Sequence, residues 1–239
     1  MKRSFLIAIG KACILTSAII LVACAQLPNA AELPPTGSET ESPSGKEGNL
    51  LPAKADIDVP FSSQAPFANW NAPYQEACEE MSLIMVHYFL EKKVLTPEIA
   101  DKELRDLIKW EKENGYAEDV TITQLAEIAC KYYDHCSNKL INDVTSEQIK
   151  SEISKGRPVI APMAGRDLGN PYYSGEGPWY HMLVIRGYTK NKFITNDPGT
   201  RRGKGYKYAY SAIINAIHDW TGVKEEIRKG GKIMLVIEP

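Results

Sequence analysis

The chain has 239 residues, of which 44% are hydrophobic, and its 28 basic and 30 acidic residues give a formal net charge of −2. A chain of this size and composition can bury a hydrophobic core. Because the charge is close to neutral and no basic patch stands out, we expect no nucleic-acid partner.

The first 23 residues have the pattern of a secretory signal. Met1-Lys2-Arg3 is a short basic head, and residues 12–23 are apolar apart from Thr16 and Ser17. This run is too short to span a bilayer, which takes about 20 apolar residues, but it suits a signal-peptide core. We expect residues 1–23 to be removed on export.

The signal ends in Leu21-Val22-Ala23-Cys24, which resembles a lipobox. In a lipobox the cysteine thiol receives a lipid and the chain is cleaved just before it. The alternative is a plain signal peptide with a chance cysteine at the cut. With two or more acyl chains, Cys24 would anchor the protein stably to a membrane. We therefore expect an exported lipoprotein that faces the periplasm or the cell exterior.

Residues 24–56 are rich in Pro, Gly, Ser and Glu and have little to bury, which predicts a disordered tether. The remaining residues, 57–239, have the size of one domain. This domain keeps Cys78, Cys130 and Cys136, an odd number, so at least one thiol is unpaired in an oxidising exterior. Cys130 and Cys136 could close a small disulfide, which would leave Cys78 without a partner.

The first half of the domain reads as helical. An apolar stripe behind Cys78 predicts a helix that begins there, and Thr-x-x-Gln capping patterns at Thr121 and Thr145 predict two later helix starts. The first predicted helix begins at Cys78. The other three run from Pro97 to about Glu113, from about Thr121 to Tyr133, and from Thr145 to Gly156.

The second half reads mostly as strands. The predicted strands cover residues 158–162, 181–188, 193–197, 206–210 and 232–238, with a helix over 211–220. Because the helices come first and the strands later, we expect an α+β fold with an antiparallel sheet.

Cys78 is the candidate nucleophile. At a helix N-terminus its thiol meets the positive end of the helix dipole and free N–H groups, which lower a thiol pKa and can stabilise an oxyanion. Glu79 and Glu80 follow directly and oppose the thiolate, so a histidinium partner would be needed. The alternative is a cysteine that serves only as a small buried apolar residue.

His181 and Asp197 are the candidate partners of Cys78. His181 opens one predicted strand and Asp197 ends the next, with a turn at residues 189–192 between them. The hairpin should bring the two side chains together, where the acid can orient the imidazole. Taken singly, His181 could be a core histidine and Asp197 a turn residue.

Four blocks resemble the papain-like, family thirty-nine-type cysteine peptidases, whose relatives cleave bacteriocin leaders after a double glycine. The blocks are Val59-Pro-Phe-Ser-Ser-Gln64, Tyr74-Gln-Glu-Ala-Cys78-Glu-Glu-Met-Ser-Leu, Tyr180-His181-Met-Leu-Val-Ile-Arg-Gly-Tyr188 and Phe193-Ile-Thr-Asn-Asp197-Pro-Gly199. The resemblance implies a papain-like fold, with Cys78 as nucleophile, His181 as base and Asp197 as orienting acid. It also implies that Gln64 is the side-chain donor of the oxyanion hole.

The chain departs from that pattern in places. Glu79 stands where many members have glycine, and Gln64 is far from Cys78 in sequence, with Gln75 as a nearer alternative donor. No transporter membrane domain follows, so a role in bacteriocin export is not implied.

The other histidines, His87, His135 and His218, read as structural, and no pair has metal-ligand spacing, so we expect neither a metal nor a cofactor. The aromatic residues of the loop before His181 suit either peptide contact or packing; they are Tyr172, Tyr173, Trp179 and Tyr180.

Three functions use this constellation. The first is a monomeric cysteine hydrolase, a peptidase or amidase, acting on a peptide or protein substrate. The second is an inactive papain-like binding module on the cell surface, which the adjacent Glu79 and Glu80 favour. The third is acyl transfer to an amine in place of water, which needs the same residues.

Overall fold

The computed structural model describes residues 50–238. The predicted signal, Cys24 and most of the predicted tether lie outside the described residues. The seven strands are β1 (Ala55–Asp56), β2 (Asn138–Asn142), β3 (Val159–Ala164), β4 (Tyr180–Tyr188), β5 (Lys192–Asn196), β6 (Lys204–Ala209) and β7 (Ile233–Ile237). The α-helices are α1 (Cys78–Leu90), α2 (Pro97–Glu113), α3 (Ile122–Tyr133), α4 (Ser146–Ser154) and α5 (Tyr210–Ala216).

The strands form a single antiparallel sheet in the order β2-β7-β3-β4-β5-β6, and the short β1 pairs with the end of β4. Strand β4 is the longest and is buried along most of its length. It pairs with β3 on one side and with β5 on the other. This central position fixes the start of β4, where His181 lies.

Side chains of β4 alternate between two hydrophobic cores, as expected for a strand covered on both faces. Met182 and Val184 pack into the core formed with α1, α2 and α3. Leu183 and Ile185 pack into the core formed with α4 and α5. Helices on both faces of an antiparallel sheet confirm the expected α+β class.

Two helices begin at the caps that the sequence predicts, and a third begins at the predicted Pro97. Thr121 with Gln124 and Thr145 with Gln148 form reciprocal capping boxes at α3 and α4. Thr96 caps α2, with Pro97 in its first turn. Helix α1 differs, because Ala77 precedes it and offers no side-chain cap.

Three elements differ from the sequence prediction. Strand β1 was not predicted, because its two residues end the segment that reads as a tether and only their pairing with β4 makes them a strand. Strand β2 was not predicted, because Asn138–Asn142 is a polar, half-exposed strand at the end of the sheet that pairs only with β7. Helix α5 ends at Ala216, before the predicted end at Trp220. The chain leaves the helix there because Ile217 forms a β-bridge with Met163, and the backbone N–H of His218 donates to Pro162.

Cys130 and Cys136 form a disulfide, and among residues 50–238 only Cys78 is a free cysteine. Within the same residues, none of the helices is both long and apolar enough to cross a membrane.

Candidate active site

Cys78 is the first residue of α1, and Ala77 separates it from the 3-10 turn Tyr74–Glu76. The side chain is 5% exposed and packs in the core shared by α1 and β4. Because α1 has no side-chain cap, the first N–H groups of the helix remain available to a ligand in front of Cys78. The position suits a nucleophile with a backbone oxyanion donor.

The thiol itself is not activated by this position. Burial raises the pKa of Cys78 well above its usual value, and the charge of Glu79 and a hydrogen bond to it raise the pKa further. Cys78 Sγ donates to Glu79 Oε2 at 2.9 Å. The lowering of the pKa expected from the helix N-terminus is therefore outweighed by burial, together with the opposing effect of Glu79 and Glu80.

Three glutamates near Cys78 are buried. Glu79, Glu80 and Glu111 are at most 4% exposed, and each has a carboxyl oxygen without a hydrogen-bond partner. Burial raises the pKa of all three, and for Glu79 and Glu111 the nearby charge of Glu80 adds to the rise. These carboxyls therefore keep their protons to higher pH than exposed glutamates do.

His181 and Asp197 meet as the hairpin of β4 and β5 predicts. His181 Nε2 lies 2.8 Å from Asp197 Oδ1, and both side chains are buried. Since an ionised carboxylate only accepts hydrogen bonds, Nε2 carries the hydrogen and Nδ1 is left as the basic nitrogen.

Asp197 accepts more than the bond from His181. Its Oδ1 also accepts from the Gly199 backbone N–H at 3.0 Å. Its Oδ2 accepts from Tyr208 Oη at 2.6 Å, Tyr173 Oη at 2.7 Å and Asn170 Nδ2 at 3.1 Å. Burial acts to raise the pKa of Asp197, but His181 and the two tyrosine hydroxyls outweigh it and lower the pKa. The carboxylate is thus held ionised and fixed in orientation.

Glycines leave space around the imidazole. A Cβ at position 199 would lie 2.8 Å from His181 Cε1, and a Cβ at position 165 would lie 3.0 Å from His181 Cβ. Both distances are too short for non-bonded carbon atoms. Gly199, in the Pro-Gly that follows Asp197, is therefore needed beside His181 for steric reasons.

A cavity of about 170 Å³ joins the predicted residues. Its lining includes Cys78, His181 and Gln64, together with the alternative donor Gln75. The loop before β4 contributes Tyr173 and Tyr180 to the same wall, while Tyr172 lines an adjoining cavity. Trp179 instead packs against the guanidinium of Arg166, 3.6 Å from the ring centre. The predicted nucleophile and the predicted base thus face a common space.

Gln64 is buried in this cavity wall, but its amide N–H groups are already used. Gln64 Nε2 donates to the backbone oxygens of Tyr74 and Gln75, both at 2.9 Å, while its Oε1 has no partner. In this arrangement Gln64 fastens the turn before Cys78. Gln75 lies on that turn with an exposed side chain.

A second cavity of about 500 Å³ adjoins the first, and the two share Trp70, Ser174 and Gly199. Its wall carries Arg201 and Arg202. The active cleft therefore continues past Gly199 into a wider, positively charged space.

Sequence reasoning did not identify Asn170 or Tyr208 as supports of Asp197. They lie 27 and 11 residues from Asp197, respectively, in a loop and in β6. The pairing of β6 with β5 was the available signal, because it brings Tyr208 beside the strand that ends at Asp197.

Comparisons with known proteins give the relatives of this fold. A family model described as Peptidase_C39 like family matches residues 56–226. The chain is similar to a Bacillus anthracis protein described as a C39-like peptidase, with 13% identity and a TM-score of 0.50 over 78% of this chain and 98% of that one. It also matches xylellain, a cysteine protease from Xylella fastidiosa, with 14% identity and a TM-score of 0.40 over 80% of this chain and 87% of that one. None of the curated proteins matches the chain.

Proposed function

The chain belongs to the peptidase C39-like family and is a cysteine peptidase of papain-like fold, and on this premise we propose that Cys78, His181 and Asp197 hydrolyse a peptide or amide bond outside the cytoplasm. The observation that carries the proposal is the shared cavity of Cys78 and His181, with His181 held by Asp197 at 2.8 Å. Cysteine hydrolases use a thiol nucleophile, a base and a third group that orients the base, and Asp197 is suited to this third role.

The order of proton transfers follows from the hydrogen on Nε2 of His181, which leaves Nδ1 free to act as the base. Nδ1 of His181 takes the proton of the Cys78 thiol as Sγ attacks the substrate carbonyl carbon. The tetrahedral intermediate collapses when the imidazolium gives this proton to the leaving amine, and a thioester remains on Cys78. Water then attacks the thioester with His181 as base, which releases a carboxylic acid and restores the thiol.

Asp197 stabilises His181 in both steps in which its imidazole becomes charged. It accepts from Nε2 throughout, so it stabilises the imidazolium that forms at each proton transfer. Its own hydrogen bonds to two tyrosines and to Asn170 prevent rotation of the carboxylate.

The oxyanion of the intermediate needs hydrogen-bond donors. The backbone N–H of Cys78 at the uncapped start of α1 is one donor. Gln64 is the proposed side-chain donor, and to act it must release one of its bonds to Tyr74 or Gln75. Gln75 is the alternative, since its side chain faces the same cavity.

We propose that Cys24 carries the lipid anchor that holds the enzyme on the outer face of a membrane. The support is the basic head, the short apolar run and the small residue before Cys24. With Cys24→Ala, the protein should move from the membrane fraction to the soluble fraction, because a protein without acyl chains has no stable anchor. Retention of the variant in the membrane fraction would refute the anchor.

The test of the catalytic proposal is a turnover assay on a mixed peptide library with the wild type, Cys78→Ala and His181→Ala. His218→Ala is the matched control, since the His218 side chain bonds the Gly230 carbonyl and does not line the cavity of Cys78. Cleavage that is lost in both site variants and kept in the control supports the proposal. Cleavage unchanged in Cys78→Ala excludes a thiol mechanism.

One observation favours a second candidate, an inactive binding module. The Cys78 thiol is buried, bound to Glu79 and raised in pKa. The rate of Cys78 alkylation by iodoacetamide distinguishes the enzyme from the binding module, because an enzyme needs a thiol that His181 activates. Alkylation of Cys78 at the same rate in wild type and His181→Ala, without cleavage of any library peptide, would favour the binding module.

A further inference from the structure

A cluster of metal-binding side chains lies at the end of α1 opposite Cys78. It consists of His87, Glu91 and His135, whose ligand atoms all lie within 4.8 Å of one another. His87 and Glu91 share a face of the helix end because they are four residues apart. His135 comes from the turn that follows α3. The sequence spacing could not reveal the cluster, because 48 residues separate the two histidines.

The two imidazoles face each other directly. His87 Nδ1 and His135 Nε2 are 2.9 Å apart. Nitrogens at this distance share one hydrogen, so at least one ring is neutral and presents a lone pair to the other. Two imidazoles bound to one tetrahedral Zn²⁺ have their nitrogens about 3.3 Å apart, given Zn–N bonds of about 2.0–2.1 Å. The rings therefore need to separate by only about 0.4 Å to admit the ion.

The surrounding residues hold both rings in place. The Tyr133 ring stacks on His87 with centroids 4.0 Å apart and an interplanar angle of 19°. The disulfide between Cys130 and Cys136 closes the turn that carries His135. The His135 backbone oxygen accepts from Asn138 Nδ2 at 2.9 Å. Metal sites depend on such supports, because they fix the direction of each ligand.

The third ligand is weakly engaged. The Glu91 carboxylate has an ion pair with Lys93 at 3.3 Å, and both side chains are largely exposed. An exposed ion pair of this kind contributes little free energy, so the carboxylate can turn towards a cation. Two imidazoles and a carboxylate make a donor set that suits Zn²⁺, with a fourth position left for water.

We propose that His87, Glu91 and His135 form a binding site for a divalent transition-metal ion, with Zn²⁺ as the best-matched ion. The ion replaces the hydrogen shared by the rings, and that hydrogen moves to the other nitrogen of its ring. The site lies about 14 Å along α1 from Cys78, at about 1.5 Å per residue. It therefore acts as a clamp between the end of α1 and the turn after α3, and it takes no part in the reaction.

The test is a Zn²⁺ titration of the full chain in a Cys78→Ser background, where the active-site thiol cannot take the metal. The variants are His87→Ala, His135→Ala and Glu91→Gln, with His218→Ala as the matched control. We expect one Zn²⁺ per chain in the background protein and in the control. We expect affinity at least about 100-fold weaker in each histidine variant and about 10-fold weaker in Glu91→Gln.

Thermal unfolding gives a second readout that does not depend on turnover. Zn²⁺ in excess should raise the Tm of the background protein and leave that of the histidine variants unchanged. Glu91→Gln changes an exposed side chain, so it tests the site even if a histidine variant fails to fold. The proposal would be overturned if the background protein does not bind one Zn²⁺ per chain. It would also be overturned if Glu91→Gln and every histidine variant that folds bind Zn²⁺ as tightly as the background protein. Because no step uses catalysis, this result is independent of whether the enzyme is active.

Discussion

The space beside the ring atoms of His181 depends on the absence of a side chain at Gly199. A Cβ there would lie 2.8 Å from His181 Cε1 and 3.2 Å from Nε2. The methyl group of Gly199→Ala must displace the ring, because the contact is closer than carbon atoms tolerate. Such a shift moves Nδ1 away from the Cys78 thiol or weakens the bond to Asp197.

We expect Gly199→Ala to lower turnover roughly 100-fold, as misplacement of a catalytic group by about 1 Å can do. The matched control is Gly231→Ala, since a Cβ at position 231 would meet no atom within 4 Å. The measurement is kcat on any peptide that the wild type cleaves, with the Tm of each variant as a check on folding. Full activity in a folded Gly199→Ala would show that the ring has room to move.

Glu79 is the residue that most directly opposes the Cys78 thiolate. Its charge and its hydrogen bond both raise the pKa of Cys78, after the larger effect of burial. Glu79→Gln removes the charge but keeps the shape, so the pKa of Cys78 should fall. The pH profile of iodoacetamide alkylation should then move to lower pH, with a severalfold faster rate below the wild-type midpoint.

Glu113→Gln is the control for that measurement, because Glu113 is exposed on α2 and pairs only weakly with Lys109 at 3.8 Å. An unchanged profile in Glu79→Gln would mean that Glu79 is already protonated when the thiol ionises. In that case burial alone would account for the raised pKa of Cys78.

At this scale the sequence indicates residue pairs that are close along the chain or joined by one hairpin. The contact of His181 with Asp197 could be predicted because a single turn separates their strands. The bonds of Gln64 to the turn before Cys78 could not, because they depend on the path of a loop without regular structure. The cluster of Glu80 with Glu111 was equally hidden, since it forms only when α2 packs on α1.

At the level of elements, α1 and α2 meet through a pair of carboxyl groups. Burial raises the pKa of Glu80 to about 7, and burial with the charge of Glu80 raises the pKa of Glu111 still further. Each carboxyl therefore binds its proton more tightly in the folded chain than in the unfolded chain. Their contribution to stability is complete below the unfolded pKa, about 4.3, and is lost as the pH rises through the folded pKa values.

Glu111→Gln should remove part of this pH dependence. The amide cannot ionise and can donate to Glu80, so the variant should be more stable than the wild type at pH 8, by about 1–3 kcal/mol, and nearly equal at pH 4. The measurement is the urea midpoint at both pH values. Glu113→Gln, two residues further on the exposed face of α2, should show no such difference. Equal midpoints for Glu111→Gln and wild type at pH 8 would show that ionisation of Glu111 does not destabilise the fold.

Elements were predictable where local chemistry decides them. The capping boxes at Thr121 and Thr145 determine the starts of α3 and α4 without reference to the rest of the fold. The end of α5 was not predictable, because it is set by hydrogen bonds to strand β3 from a distant part of the sequence. Strand β2 was missed for the same reason, as only its pairing with β7 makes this polar segment a strand.

In the molecule as a whole, the sheet joins the elements of the site. Cys78 belongs to the helical core on one face of the sheet, while His181 and Asp197 belong to the hairpin of β4 and β5. The loop after Asp197 then carries Gly199, Arg201 and Arg202 along the cleft. The proposed catalytic pair and the arginines of the adjoining cavity thus belong to neighbouring parts of the chain.

The two arginines of that loop have no acidic partner among residues 50–238. The arginine ion pairs there involve Arg105, Arg157, Arg166, Arg186 and Arg228. Arg201 and Arg202 are exposed in a cavity of about 500 Å³, and Arg202 lies over the ring of Tyr172. Cations without a protein partner beside a catalytic cleft attract anionic groups of a substrate.

We therefore expect peptides with a carboxylate side chain near the cleaved bond to bind better than their amide counterparts. The double change Arg201→Gln with Arg202→Gln should raise KM for a Glu-containing peptide about 10-fold and leave kcat nearly unchanged, because two exposed charge contacts are worth about 1 kcal/mol or somewhat more. KM for the matching Gln-containing peptide should not change.

Added salt should weaken the preference in the wild type, since exposed charges are screened. Lys190→Gln, which removes an exposed cation from the turn between β4 and β5, is the control. An equal rise in KM for both peptides would show that the arginines shape the cavity but do not recognise the negative charge of the peptide.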